Sequence, residues 1–573
     1  MNVSEYIANF LSAQDIKFVF EVAGGMITHL IDAIHRQGKI NLISCHHEQA
    51  AAFAADGMAR VTGLPGVAMA TSGPGATNML TGIGTCYFDS SPAIFITGQV
   101  NTYEQKGNRT VRQLGFQETD IVSMACSITK AAWRVKTSEE IPDVLERAYN
   151  VSLSDRPGPV LIDIPMDVQR SEISAHMPRR LSSPRINDPE KKLIDELLKE
   201  LSRAKRPLIL AGGGIRSARA IELLRAFVEK VNVPLVNSLM AVDILPYSHP
   251  LRVGMIGTYG NRWANIAIGR SDFLLVLGSR LDIRQTGADT ESFKADRIVY
   301  HVDCEEGEVN NRVTGCKAIP SHLRSFLSLS LETLSHYVPA DNADWLAKIK
   351  ELQEVSPDTT ELKGIRGINP NKFMHLLSKK SHLAAAFIVD IGQHQMWAAQ
   401  SLEIGNNQIF LTSGGMAPMG YALPAAIGAS LSYSGYPVVL IAGDGGFQLN
   451  IQELQTIVHN NLPVKMVVIN NRCYGMVRQF QESYFEKRYQ STYWGYSAPD
   501  FSKIAQAYGI QSCTVEKIAE IPSALDQMWQ DPQAPFLLQV MIDLQVNAYP
   551  KIAFGLPITE MEPLAKPVDM EGT

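Results

Sequence analysis

The residues from Gly443 to Asn471, GDGGFQLNIQELQTIVHNNLPVKMVVINN, set an aspartate between glycines after one apolar run and an asparagine pair after the next. Asp444 and Asn471 are hard oxygen donors, and Gly443, Gly445 and Gly446 let backbone N–H groups come close to a phosphate. Two such donors beside a phosphate cradle suit magnesium. The flanking runs PVVLIA and VKMVVI are short and β-branched, as strands covered on both faces are. The segment therefore reads as a βαβ unit with both donors at the carboxyl ends of strands, where open α/β sheets hold ligands. Taken alone, the same pattern also reads as two tight turns.

A second candidate lies in the first third of the chain. The run INLIS enters CHHEQAAAFAADGMARVTG and puts Glu48 at a helix start. A first-turn glutamate is favoured by the helix dipole and needs no chemistry. Alanines at 50, 51, 54 and 55, however, would surround that carboxylate with apolar atoms and favour its neutral form. Further on, TSGPGATN at 71–78 is a Gly/Pro loop opening a helix, suited to a ring or an anion.

The elements that must position these groups repeat along the chain. A length of 573 residues favours three or four domains. Residues 1–170 alternate helical stretches with FVFEV, INLIS, GVAMAT, AIFIT and VLIDI; this is the grammar of a doubly wound α/β domain. Residues 171–190 lack a hydrophobic period and read as a linker. Residues 191–345 resume with PLILAG, PLVNS, FLLVLG and IVYHVD; a polar linker at 346–365 follows. Residues 366–555 carry AFIVDIG, VVLIAGDGG, KMVVINN and FLLQVMI, and 556–573 read as a frayed C-terminal tail.

A net charge of -6 and a pI near 6.1 argue against nucleic acid and membrane surfaces, leaving a small molecule as the expected partner. Seven scattered cysteines, never in a CxxC pair, suggest neither a disulfide framework nor a zinc site and fit a reducing cytoplasm. The amphipathic N-terminus does not read as a signal peptide, and no apolar run approaches the roughly 20 residues of a membrane span.

Taken together, these pieces resemble the thiamine diphosphate enzymes, and most of all the acetolactate synthase catalytic subunits. The stretches HHEQAAAFAADGMAR, ATSGPGATN, GFQETDIV, RPGPVLIDIP, GQHQMWAAQ, MGYALPAAIGA and GDGGFQLNIQEL carry the resemblance over essentially the whole chain. It implies three α/β domains: pyrimidine-binding, central and diphosphate-binding. It implies Mg2+ held by Asp444, Asn471 and the backbone carbonyl of Cys473, with Gly392, Gln393 and His394 as further diphosphate contacts. His394 alone would read as a core histidine. Met419 matches the apolar wedge that bends the cofactor, the Ala417 carbonyl faces the aminopyrimidine, and Pro74, Asn78 and Met476 fall among the cofactor contacts. The family more often has glycine at 417, and alanine there is tolerable provided the backbone needs no positive φ. Glu48 would exchange a proton with the pyrimidine, the cofactor being the electron sink for losing carbon dioxide from a 2-keto acid. Phe116 and Gln117 resemble substrate-pocket residues, although a core phenylalanine and a solvated glutamine would read the same.

Acetolactate synthases also bind FAD in the central domain. Arg156, the glycines 212–214 (Gly212, Gly213, Gly214), Ser238, Leu239, GTYG at 257–260, Arg280, Arg284 and Asp303 resemble those contacts, while the later acidic residue of that site is not placed in CKAIPSHL. Two departures concern the acceptor: Met166 stands where the family has lysine, and Phe480 where it has tryptophan. Losing a cation weakens the case for a second keto acid, although Arg284 could supply one. The leading expectation is a carboligase that decarboxylates pyruvate and passes its two-carbon unit to a carbonyl acceptor. Transfer to a nucleotide-linked keto sugar is a rival. A simple 2-keto acid decarboxylase and a non-enzymatic cofactor-binding partner are further alternatives. The resemblance also implies a homodimer or homotetramer with active sites between subunits.

Overall fold

The structure is a computed structural model and describes residues 1–568 apart from 175, 182–188, 335–336, 340 and 363. Parts of the expected linkers and the last five residues of the expected tail lie outside the described residues.

Eighteen strands form three parallel sheets of six. The first holds β1 (Phe18–Glu21), β2 (Asn41–Ser44), β3 (Gly66–Ala70), β4 (Ala93–Gln99), β5 (Ala131–Arg134) and β6 (Pro159–Pro165), in the order β2-β1-β3-β4-β6-β5. The second holds β7 (Pro207–Ala211), β8 (Leu235–Asn237), β9 (Arg252–Met255), β10 (Phe273–Leu277), β11 (Ile298–Asp303) and β12 (Lys317–Pro320), ordered β12-β11-β10-β7-β8-β9. The third holds β13 (Ala386–Val389), β14 (Ile409–Leu411), β15 (Val438–Gly443), β16 (Val464–Asn470), β17 (Gln511–Val515) and β18 (Phe536–Met541), ordered β14-β13-β15-β16-β18-β17. The long apolar runs became the interior strands, because a parallel strand between helices on both faces is buried on both sides. AAWR, RVGM, KAIP, IFL and QSCTV went unread in the sequence, and each forms a sheet edge.

The first and third domains share one apolar cluster. It runs through the helix Glu48–Thr62 and the helix Ala422–Ser432, which cross at van der Waals distance. Glycines make the crossing possible: a Cβ on Gly57 would lie 2.3 Å from the Ala425 oxygen, and one on Gly428 would lie 1.9 Å from the Ala54 oxygen. The alanines of the first helix pack here and do not wrap around Glu48, contrary to the sequence expectation.

Two boundaries also differ from the sequence expectation. The stretch read as a linker at 346–365 opens inside the helix Ala343–Val355, whose Trp345 and Ile349 are spaced to face the central sheet and pack there. Nor is the segment after 555 frayed, through residue 568. Lys551–Ile552 pairs antiparallel with Met561–Glu562, and the buried Arg262 donates to the Met561 and Glu562 oxygens. Ile558 and Met561 complete the packing against the central domain.

Candidate active site

The third sheet reverses its winding between β13 and β15, and a cavity of about 260 Å³ opens there at the strands' carboxyl ends. The loop after β13 brings Gly392, Gln393 and His394; the loop after β15 brings Gly443, Asp444, Gly445 and Gly446; the loop after β16 brings Asn471 and Cys473. Met419 and Met476 close the sides. The glycines are where neighbours leave no room. A Cβ on Gly392 or Gly443 would lie within 2.6 or 2.9 Å of the His394 ring, and one on Gly475 would lie 2.0 Å from Gln393 Oε1.

The cavity's polar groups are prepared for something beyond themselves. Asp444 is 2% exposed, and its Oδ2 finds no partner. Burial pushes its carboxyl up to about 6, against the opposing bonds from the Tyr496 hydroxyl and backbone N–H groups. His394 is 5% exposed, burial pushes it down to about 3 so that it stays neutral, and its Nε2 is unpartnered. Asn471 accepts from the Cys473 N–H at 3.2 Å and donates to Gln393 at 3.3 Å. A buried carboxylate oxygen and a neutral imidazole nitrogen, both without partners, carry a desolvation cost that a bound cation and its anion would relieve. The donor set therefore fits a hard divalent cation beside a diphosphate. Among the described residues no group of three or more His, Cys, Asp or Glu side chains is placed to hold a metal ion.

Asp390, at the end of β13, accepts from the Gly420 N–H at 3.0 and 3.1 Å and from the Ile391 N–H at 2.7 Å. It ties the turn carrying Met419 to the sheet. Ala417, on the same turn, has φ +53. The proviso on alanine fails: this backbone does need a positive φ, and an L-residue there costs roughly 1–2 kcal/mol. Ala417 does not line the cavity.

The residues expected from the first domain gather elsewhere. Glu48 opens its helix, capped by His47 Nδ1, which accepts from the Gln49 N–H at 3.0 Å. Its Oε2 accepts from Asn78 Nδ2 at 2.9 Å, and a Cβ on Gly75 would lie 3.1 Å from its Oε1. Glu48 is half-buried; Pro74 and Asn78 are exposed. Gln117, at φ +64, packs on Gly73, so its loop adjoins the same face. Phe116 is 79% exposed, which rules out a core role. None of Glu48, Pro74, Asn78, Phe116 and Gln117 lines the cavity of the third domain.

A second cavity, about 170 Å³, lies where the central sheet reverses between β7 and β10. Gly213, Gly214, Ser238, Leu239, Arg280, Arg284 and Asp303 line it, and Arg156 reaches it from the first domain. Arg156 donates to Ser90 Oγ at 2.8 Å and pairs with Glu308 at 2.8 Å. Gly212 is not part of this wall: a Cβ there would lie 2.0 Å from the Gly278 oxygen, so it serves the packing of two turns. His322 stands in the CKAIPSHL stretch, where an acidic residue was sought.

Sequence reasoning missed Trp397, Tyr474 and Val477 in the first cavity, and Tyr496 behind Asp444. Tyr496 lies far along an irregular segment, and no spacing signals it. Trp397 carried one faint signal, its position one helical turn past Gln393.

Family models described as thiamine pyrophosphate enzyme match the chain in three parts. The N-terminal TPP binding domain matches residues 1–124, the central domain 194–329 and the C-terminal TPP binding domain 390–540. The acetolactate synthase large subunit of Lactococcus lactis subsp. lactis (strain IL1403) is 36% identical over 97% of this chain and 95% of its own length. The isozyme 2 and isozyme 1 large subunits of acetolactate synthase from Escherichia coli (strain K12) are 34% and 36% identical, over 98% and 97% of this chain and 99% and 97% of their own. With its cavity at the β13/β15 reversal and relatives matched end to end, the chain belongs to the thiamine diphosphate-dependent enzymes, in the family of the acetolactate synthase large subunits.

Proposed function

We propose that this chain is the catalytic chain of an acetolactate synthase, a transferase that decarboxylates pyruvate and passes the two-carbon unit to a carbonyl acceptor. The observation that carries the reading is the unpartnered pair Asp444 Oδ2 and His394 Nε2 in a glycine-lined cavity. Asp444, Asn471 and the Cys473 carbonyl would hold Mg2+; Gly392, Gln393, His394, Gly443, Gly445 and Gly446 would hold the diphosphate. Met419 and Met476 would support the rings, with the Ala417 carbonyl at the aminopyrimidine. Thiamine diphosphate, when bound, supplies the electron sink for cleaving a carbon–carbon bond beside a carbonyl.

Glu48 would hold and return the proton at the pyrimidine nitrogen, steadied by Asn78 with Pro74 beside it. Phe116 and Gln117 would cover the donor. Because these groups are absent from the third domain's cavity in one chain, a homodimer or homotetramer in which each first domain faces another chain's third domain accounts for both halves. The exposed Phe116 is then an interface residue.

The relatives favour the acetolactate reading over a keto-sugar acceptor and over simple decarboxylation. The central cavity supports FAD, bound by Arg156, Gly213, Gly214, Ser238, Leu239, Arg280, Arg284 and Asp303. No helix of the described residues is long and apolar enough to cross a membrane, and seven unpaired cysteines support a cytoplasmic setting. The deciding experiment supplies pyruvate, thiamine diphosphate, Mg2+ and FAD to the purified protein. Two pyruvates consumed per carbon dioxide, with acetolactate formed, is the expected result; carbon dioxide released with aldehyde alone would overturn it.

A further inference from the structure

Glu453 is fully buried, yet it belongs to neither cavity. It follows the helix Asp444–Leu449 that begins with the candidate metal ligand. Its Oε1 accepts from the His46 N–H at 2.9 Å, two residues before Glu48, and its Oε2 accepts from Thr456 at 2.7 Å. Between Asp444 and Glu453 stands Asn450, 1% exposed, whose Nδ2 donates to the Gly420 oxygen at 2.8 Å and to Gln49 Oε1 at 3.3 Å. The segment 444–453 thus touches three things in turn: the cavity through Asp444, the Met419 turn through Gly420, and both flanks of Glu48 through His46 and Gln49.

We infer that Glu453 is a positioning residue for Glu48, and that the segment 444–453 is a strut linking the cofactor cavity of its own chain to the acid that this chain presents to a partner. The inference rests on the proposed sharing of the active site between chains. In such a dimer each chain lends Glu48 to the other's cavity, so the strut ties one active site to its neighbour through the inside of a single chain. The neutral alternative is that Glu453 only stabilises the contact of the first and third domains. The two differ in which chain feels its loss.

The test uses hybrid dimers of one chain carrying Glu48→Gln and another carrying Asp444→Ala, each with its own affinity tag. If the site is shared, the hybrid holds one working site, made from the third domain of the Glu48→Gln chain and the Glu48 of the Asp444→Ala chain. Glu453→Ala is then added to either chain. Placed in the chain that supplies Glu48, it is expected to lower kcat about 10- to 100-fold, the scale of a misplaced catalytic group. Placed in the other chain, it is expected to cost at least tenfold less. Glu453→Gln, which keeps an acceptor for the His46 N–H, should restore most of the rate. In the Glu453→Ala homodimer without cofactor, amide exchange should quicken at His46, while thiamine diphosphate affinity should stay within about threefold.

Equal losses in both placements would overturn the positioning role. A hybrid with no recovered activity would instead overturn the shared site, and the inference with it. Should Glu453→Ala fail to fold, Glu453→Gln with unchanged His46 exchange but a rate as low as other uncharged replacements would also overturn it.

Discussion

The first and third sheets have the same strand order, 2-1-3-4-6-5 counted within each domain, yet they do different work. In the third, the loops at the carboxyl ends fold inward: Asp444, Asn471 and His394 are all under 10% exposed and surround a cavity with unpartnered polar atoms. In the first, the corresponding edge stays open, offering a half-buried Glu48 and a Phe116 that is 79% exposed. One scaffold thus forms a container in the third domain and, under the proposed sharing of sites between chains, a face that would close one in the first. The difference lies in loop chemistry, as expected where function is grafted onto a common fold.

That contrast is best attacked first at the container. Asp444→Ala should weaken binding of thiamine diphosphate with Mg2+ by at least about 100-fold, the scale on which losing a buried charged partner acts, and abolish turnover. Calorimetric titration checks it, and stoichiometric binding by the variant would remove the ligand role. Glu48→Gln should act oppositely. Carbon dioxide release should fall about 10²- to 10⁴-fold, as expected when a general acid–base group is lost, with cofactor affinity nearly unchanged. A variant with the normal rate would mean the open face takes no part in proton transfer.

A smaller effect separates the domains by pH. Burial holds Asp390 up to about 7, above the ~3.9 of an unfolded aspartate. The folded chain therefore keeps a proton that the unfolded chain releases. Its contribution to stability falls as pH rises from about 4 to about 7 and is level above that. Asp390→Asn should flatten this part of the pH dependence of Tm in the cofactor-free protein. An unaltered slope would assign the effect to other buried acids. The smallest effect is expected of Ala417→Gly. Relief of the positive φ is partly offset by the greater freedom of an unfolded glycine, leaving a net gain of up to about 1 kcal/mol. A loss of stability in denaturant titration would show that the alanine methyl packs usefully.

Much of this was legible from residues alone. Asp444 and Asn471 announced themselves because a strand end, a glycine and a hard oxygen donor recur together at a definable place in an α/β sheet. The interior strands were legible for a similar reason: VVLIAG is apolar throughout, and VKMVVIN is apolar except for Lys465 and Asn470, because both faces are covered. AAWR and QSCTV were not, since at a sheet edge half-exposed positions dilute the apolar signal. The surroundings of Glu48 were misjudged because the alanine run marks a tight helix crossing, and which face of a helix meets which neighbour is a tertiary fact. Gly212 was read as a ligand contact for the same kind of reason. Glycine is needed both for a phosphate and for a neighbouring turn, and only geometry tells them apart.

The crossing of the helices Glu48–Thr62 and Ala422–Ser432, with no room for a Cβ at Gly57 or Gly428, has a consequence for how the protein behaves on dilution. It packs the first and third domains of a chain closely against each other, in an arrangement where the chain's own Glu48 does not line its own cavity. If the cofactor is enclosed only between copies, its binding and the association of chains are thermodynamically linked. Lowering the protein concentration should then loosen the cofactor, and adding cofactor should hold the copies together at concentrations where the bare chains part.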